Sequence, residues 1–73
     1  MPQEHVEVPI KGKVLRVEVT AGARVQVGAV LCIIESMKME NPVLSPVAGE
    51  VKEVKVAPGQ LVRTGQLIAT IDY

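Results

Sequence analysis

Apolar and polar residues alternate over short stretches of this chain, and turn-forming residues separate the stretches. In residues 5–10, Val6, Val8 and Ile10 fall on one face, while polar residues and a proline fall on the other. This is typical of a half-buried β-strand. β-Branched residues dominate the apolar set and no window keeps a helical period, so helix is not expected. Strands are predicted at residues 5–10, 13–19, 30–35, 39–44, 50–56 and 67–72, with an extended segment at 24–27 and a frayed terminus at 1–4.

Two of the predicted strands have features of their own. The run at 30–35 is apolar over its first five positions, which predicts a strand that is buried on both faces. Cys32 lies within this run and is therefore expected to be a small core residue and not a reactive thiol. Pro42 lies inside 39–44 and cannot donate a backbone hydrogen bond, so this strand is predicted to be interrupted there.

The second half of the chain repeats the first at an offset of 37 residues, without a gap. All six glycines obey this offset, and so do Pro9 with Pro46 and Ile34 with Ile71. The repeats cover about 9–35 and 46–72, and residues 35–40 join them. Neither repeat could bury the face of a sheet alone. The predicted fold is therefore all-β, with two antiparallel sheets packed face to face and related by an internal pseudo-two-fold axis.

Length and composition narrow the classes of function. The 73 residues are predicted to form one domain, 1–73, whose core is too thin for a large enclosed active site. The formal net charge is zero and Tyr73 is the sole aromatic residue, which argues against nucleic-acid binding. One cysteine excludes an internal disulfide, and one cysteine with one histidine is too few for a zinc site. Since neither a membrane-spanning run nor a secretion signal is visible, a soluble intracellular domain is predicted.

The sequence Glu-Ser-Met-Lys-Met-Glu at residues 35–40 lies where the two repeats join. A hairpin there would display Lys38 at one end of a rigid sandwich, exposed and fixed in position, as a lysine must be if another enzyme is to acylate it. Met37 and Met39 are two residues apart and are predicted to share a strand face on either side of Lys38. Methionine is flexible and polarizable, and suits a surface that several partners contact in turn. The alternatives are an ordinary solvated turn lysine and methionines that fill the core.

The motif at residues 35–40 strongly resembles the attachment signature of the biotinyl domains of biotin-dependent carboxylases, usually Glu-Ala-Met-Lys-Met. The resemblance covers nearly the whole chain and includes two Pro-x-x-Gly bends, at 9–12 and 46–49, and the later glycine turns of each repeat. It implies a flattened barrel-sandwich hybrid of two four-stranded antiparallel sheets. Some bacterial members carry a protruding thumb in the first half, and the gapless repeat predicts a thumbless member. Ser36 replaces the usual alanine, and Ile10 with Lys11 replaces the usual Met-Pro or Met-Ala.

The resemblance also implies a carrier function. Biotin would be joined by an amide bond to Lys38, installed from biotinyl-AMP by a biotin protein ligase. A biotin carboxylase would load carboxylate on the biotin, and a carboxyltransferase would pass it to an acceptor. The chain itself would be a monomeric, non-catalytic carrier, in the cytoplasm or, within a eukaryotic carboxylase, in the mitochondrion. The implied site residues are Lys38 for attachment, Met37 and Met39 for recognition beside it, and Glu35, Ser36 and Glu40 as candidate ligase contacts.

Two other functions remain open at this stage. A lipoyl carrier domain of a 2-oxoacid dehydrogenase or glycine-cleavage system shares the implied architecture, but its lysine usually stands in Asp-Lys-Ala, whereas Met37 and Met39 favour biotin. A structural sandwich like those of membrane-fusion adaptors usually lacks Met-Lys-Met and has a long helical insertion between its halves, which are joined directly here. A free-standing enzyme is disfavoured, because no nucleophile–base pair, carboxylate dyad or metal cluster is apparent.

Overall fold

The computed structural model describes residues 2–73 of the chain, and these form eight β-strands and no helix. Over the same residues there is consequently no helix that could cross a membrane. The strands are β1 (Gln3–Glu7), β2 (Gly12–Val17), β3 (Arg24–Val25), β4 (Val30–Ser36), β5 (Met39–Leu44), β6 (Gly49–Val54), β7 (Leu61–Val62) and β8 (Leu67–Asp72).

The strands form two four-stranded antiparallel sheets, which confirms the predicted fold class. One sheet has the order β1-β8-β6-β3 and the other has the order β5-β4-β2-β7. The two-residue strands β3 and β7 each lie in the sheet built mainly by the opposite repeat, so the halves interlock. Strand β7 was not predicted, because two residues are too few to show an alternating pattern.

The pairing registers of the two sheets obey the same offset of 37 residues as the sequence. Lys13 pairs with Glu35 in one sheet, and Glu50 pairs with Asp72 at the equivalent place in the other. The irregularities match too: β2 shifts register against β4 between Val14 and Arg16, and β6 shifts against β8 at the equivalent step. The pseudo-two-fold axis expected from the repeat is thus present in the hydrogen-bonded ladders.

The core lies between the sheets and is built almost entirely from pairs of equivalent residues. The side chains of Leu31 and Ile68 are fully buried, as are those of Ile34 and Ile71. Ser45 is a buried polar residue, and its hydroxyl donates a 2.6 Å hydrogen bond to the carbonyl oxygen of Val47. The core comprises Val6, Val8, Val14, Val25, Leu31, Cys32, Ile34, Val43, Val51, Val56, Val62, Ile68, Ala69 and Ile71.

The prediction that the run at 30–35 is buried on both faces is wrong in part. Val30 is 36% exposed, and Ile33 is half-buried, while Leu31, Cys32 and Ile34 face the core. Strand β4 shifts register against β5 between Val30 and Cys32, so consecutive residues turn inward there. The bulge therefore accounts for the burial of two consecutive residues, Leu31 and Cys32, since it breaks the alternation of a regular strand.

The predicted interruption at Pro42 is also wrong. Strand β5 runs unbroken from Met39 to Leu44, and Pro42 pairs with Ile33. Strand β5 is at the edge of its sheet, so one of its sides has no neighbour that needs a backbone donor. A proline there costs the ladder little.

The N-terminal prediction needs two corrections. Gln3 and Glu4 belong to β1 and pair with β8, so the frayed terminus predicted at 1–4 is wrong for these residues, and Met1 lies outside the described residues. The predicted strand at 5–10 ends at Glu7, and Ile10 is 38% exposed instead of facing the core. The chain bends at Pro9 after β1 and so leaves the alternating pattern before Ile10. Strands β2 and β6 were predicted at 13–19 and 50–56. Each begins one residue earlier and ends two residues earlier than predicted.

Candidate functional site

Strands β4 and β5 are joined by a two-residue loop, which is the shortest loop common in β-hairpins. Ser36 pairs with Met39 at the end of the ladder, so Met37 and Lys38 alone make the turn. Both turn residues have positive φ angles, 54° for Met37 and 65° for Lys38. Two successive positive φ angles define a type I′ turn, whose twist matches that of the flanking strands. The predicted hairpin is therefore present, with Lys38 at its tip.

The residues in this turn are not those that the conformation favours. Type I′ turns strongly prefer Asn-Gly, because ordinary L-residues lose about 1–2 kcal/mol in the left-handed region. Met37 and Lys38 are the only non-glycine residues with positive φ among residues 2–73. The paired strands on either side hold both residues there, so the lysine backbone is fixed in a single orientation. Strain confined to one short segment is typical of a functional site.

We expect Met37→Asn to raise the thermal stability of the protein. Asparagine adopts positive φ more readily than methionine, and the Met37 side chain is 90% exposed, so little packing is lost. The expected gain is about 1 kcal/mol, or a rise of roughly 5 °C in melting temperature measured by circular dichroism. Met39→Asn is the matched control, because Met39 lies in β5 and lacks positive φ; a similar gain in this control would contradict the explanation.

The two methionines beside Lys38 are both exposed at the turn. Met37 is 90% exposed and Met39 is 67% exposed, so neither fills the core. The prediction that they share a strand face is wrong, because Met37 is a turn residue and only Met39 belongs to a strand. Lys38 is exposed between them. Together the three side chains give the hairpin tip an apolar surface around one amine.

Asn41 braces the hairpin from the side of β5. Its amide nitrogen Nδ2 donates to the carbonyl oxygen of Met39 at 3.1 Å and to that of Ile34 at 3.3 Å. The Asn41 side chain thus links Met39, the first residue after the turn, to Ile34 in the neighbouring strand β4. Sequence reasoning missed Asn41, because nothing in the pattern distinguishes a bracing asparagine from any other polar residue of an edge strand.

Strand β2 supports the hairpin on the side away from β5. A Cβ atom placed on Gly12 would overlap the carbonyl oxygen of Glu35 and lie 2.8 Å from Cγ2 of Ile34. Gly12 therefore allows the backbones of β2 and β4 to approach where the hairpin leaves the sheet. The φ angle of Gly12 is not positive, so close approach and not turn geometry requires this glycine.

The predicted flanking residues form the base of the hairpin. Glu35 and Glu40 lie opposite each other in the β4–β5 ladder, and both are exposed. Like charges in opposite positions destabilise a sheet slightly, so the pair is not explained by folding. Ser36 is half-buried and forms the last pair below the turn. The structure brings all six predicted residues of the motif to one end of the molecule.

Other chemistry-bearing groups lie away from this end or are inert. Cys32 is buried in the core, and burial raises the pKa of its thiol, so the nucleophilic thiolate is disfavoured. Residues 2–73 contain no group of three or more histidine, cysteine, aspartate and glutamate side chains able to hold a metal ion. Among the described residues, Lys38 is the exposed lysine whose backbone is held in a tight two-residue turn.

Comparisons with known proteins show which family the chain belongs to. The family profile Biotin_lipoyl, described as "Biotin-requiring enzyme", matches residues 4–71. The "Biotinylated protein TB7.3 homolog" of Mycobacterium leprae is 47% identical over 68 residues, which are 93% of this chain and 96% of that protein. Mitochondrial pyruvate carboxylase of Homo sapiens is 39% identical over 93% of this chain, which spans 6% of the carboxylase.

A solved structure shows the same fold. The crystal structure of the Kluyveromyces lactis urea carboxylase matches with a TM-score of 0.91 and 28% sequence identity. The match covers 99% of this chain and 6% of that protein. Since the profile covers nearly the whole sequence and the Mycobacterium leprae relative is similar along almost its entire length, the chain belongs to the family of biotin- and lipoyl-attachment domains of biotin-requiring enzymes.

Proposed function

We propose that this chain carries biotin on Lys38 and moves carboxylate between the active sites of a biotin-dependent carboxylase or decarboxylase. The observation that carries the proposal is the two-residue turn that holds Lys38 exposed between Met37 and Met39 in a member of this family. The names of the relatives support biotin as the attached group, since one is called a biotinylated protein and another a pyruvate carboxylase.

The residues at the hairpin tip fit such a group. Attachment requires an accessible amine and space around it for an acyl chain, and Lys38 and both neighbouring methionines are exposed. The amide would form between Nζ of Lys38 and the carboxyl carbon of biotin, with AMP leaving when the donor is biotinyl-AMP. Once attached, biotin supplies a ureido nitrogen that accepts and releases carboxylate.

The protein's own contribution would be positional. The strained turn fixes the Lys38 backbone, the Asn41 side chain braces the strand after the turn, and Gly12 lets β2 pack closely behind it. A rigid support limits the orientations that the attached arm can take, so its reactive end reaches a partner's active site more often. No catalytic group is required of the carrier, and activation of the Lys38 amine is left to the modifying enzyme.

The proposed partners are the enzymes that would supply the chemistry which the carrier itself does not perform. A biotin protein ligase would attach the biotin, a biotin carboxylase would carboxylate it, and a carboxyltransferase would use the carboxylate. Several relatives contain this domain as a small part of a much longer carboxylase chain, which supports the last two partners. The apolar methionine surface beside Lys38 is suited to contact each partner in turn.

Intact-mass measurement after incubation with a biotin protein ligase, biotin and ATP tests the proposal. We expect a gain of one biotinyl unit per chain, with no gain in a parallel reaction with a lipoate ligase and lipoate. A lipoyl gain alone would make the chain a lipoyl carrier, which the same family also contains. No gain in either reaction would contradict the carrier function.

A further inference from the structure

A shallow groove of about 530 Å³ lies at the edge of the sheet that carries the hairpin. Its floor is formed where β2 pairs with the edge strand β7. Leu61 contributes an apolar side chain to the groove and is 78% exposed. The lining residues are Lys11, Gly12, Lys13, Leu61, Val62 and Arg63.

The groove and Lys38 are at the same end of the molecule. Gly12 lies against Glu35, the residue at the base of the hairpin, and pairs with Val62 on its other side. The order across the sheet is therefore hairpin, β2 and β7. Neighbouring strands are about 5 Å apart, so the groove begins roughly 5 Å and ends roughly 10 Å from the hairpin strands. Lys38 lies three residues beyond Glu35, or roughly 10 Å further along the hairpin, which is within the reach of one partner protein that contacts both Lys38 and the groove.

The same backbone arrangement forms elsewhere in the molecule without the positive charge of the groove. The pseudo-two-fold axis supplies an internal comparison, since the other end of the molecule has the same backbone pairing. Three cations line the groove, whereas its counterpart has one cation and one anion. The equivalent residues are Lys11 and Ala48, Lys13 and Glu50, Leu61 and Arg24, and Arg63 and Gln26.

The groove cations take part in no ion pair among the described residues. The ion pairs found within residues 2–73 join Arg16 to Glu18, Lys52 to Asp72 and Lys55 to Glu53. None involves a residue of the groove. Three clustered, exposed cations around an exposed leucine repel one another, so their presence near Lys38 points to an anionic partner with an apolar contact.

We propose that this groove binds an acidic surface, with a central apolar side chain, on the biotin protein ligase that modifies Lys38. The proposal rests on the function proposed above. The ligase must bring Nζ of the unmodified lysine to its own active site, so it approaches within the length of one lysine side chain. A biotin carboxylase is reached by the longer biotinylated arm, so its surface can remain farther from the hairpin. The protein surface around Lys38 is therefore most constrained by the ligase.

The test compares variants by steady-state biotinylation with the biotin protein ligase encoded in the same genome. Lys11→Gln/Arg63→Gln removes two of the groove cations, neither of which lies within a strand. We expect kcat/KM to fall about tenfold at low salt, near 0.02 M, and the difference to shrink at about 0.3 M. Arg24→Gln/Lys52→Gln removes two cations at the opposite end and should leave kcat/KM unchanged.

A second measurement separates docking from the reactivity of the amine. Biotinyl-AMP added without ligase acylates exposed lysines slowly, and the rate at Lys38, read by peptide mass spectrometry, should be the same in the groove variant and in the original protein. Equal ligase kinetics in both double variants, or equal losses in both, would overturn the docking proposal while leaving the carrier function intact. If the ligase modifies none of the proteins, including the unchanged one, the carrier function itself has failed and the docking proposal fails with it.

Discussion

The Lys38→Arg variant is expected to fold like the original protein and to take up no biotin at all. Arginine keeps the positive charge and the length of the side chain, but its guanidinium is not an amine that biotinyl-AMP acylates. Lys38 is exposed at a turn tip, so the substitution disturbs no packing. Intact mass after reaction with ligase, biotin and ATP should remain that of the unmodified chain, while the melting temperature stays within about 2 °C.

A matched lysine elsewhere gives the control. Lys55→Arg also keeps charge, and its side chain is half-exposed in an ion pair with Glu53 away from the hairpin tip. This variant should gain one biotinyl unit at the original rate. Biotin appearing on Lys38→Arg, at any other lysine, would contradict the assignment of Lys38 as the attachment site.

Gly12→Val should unfold or severely destabilise the domain. The first side-chain atom already overlaps the Glu35 carbonyl oxygen, and the neighbours are backbone atoms and a buried isoleucine that cannot move aside cheaply. We expect a loss of about 3 kcal/mol or more, and a fall of roughly 15 °C in melting temperature. Gly49→Val should behave alike, because a Cβ there overlaps the carbonyl oxygen of Asp72 at the equivalent place.

Gly22→Ala distinguishes crowding from backbone strain. Gly22 has a φ angle of 93° and open space where a Cβ would lie, so alanine meets strain but no neighbour. The expected loss is about 1–2 kcal/mol, clearly smaller than for Gly12→Val. Equal losses in the two variants, measured by urea unfolding, would mean that close approach of β2 and β4 is not what Gly12 provides.

Much of the fold was accessible from the sequence because the repeat constrains both halves together. A strand recognised in one half predicts its counterpart, and the glycine bends mark the same turns twice. The bulge beside Leu31 could not be predicted from the sequence, because alternation alone cannot show where a strand takes an extra residue. Ile10 was misplaced for a related reason: the bend at Pro9 ends the pattern one step earlier than counting suggests.

The motif at residues 35–40 could be located from sequence, but its geometry could not. Residue types argued against two successive positive φ angles at Met37 and Lys38, since that conformation favours asparagine and glycine. The bracing role of Asn41 depends on where two carbonyl groups lie in space, and the basic groove joins residues that are about 50 positions apart. Such features come from tertiary contacts, which local patterns do not encode.

The exchange of β3 and β7 between the sheets has a consequence for how the chain folds. Neither half contains all the strands of either sheet, so each half can form its own β2–β4 or β6–β8 ladder but no four-stranded sheet is complete until both halves are present. Most of the stabilising contacts thus join residues that are distant along the chain, and closing those long loops is a cost met before the contacts form. We therefore expect folding to be all-or-none, and slow for so short a chain. The lysine hairpin lies at the junction of the halves, so both sheets are assembled on either side of it.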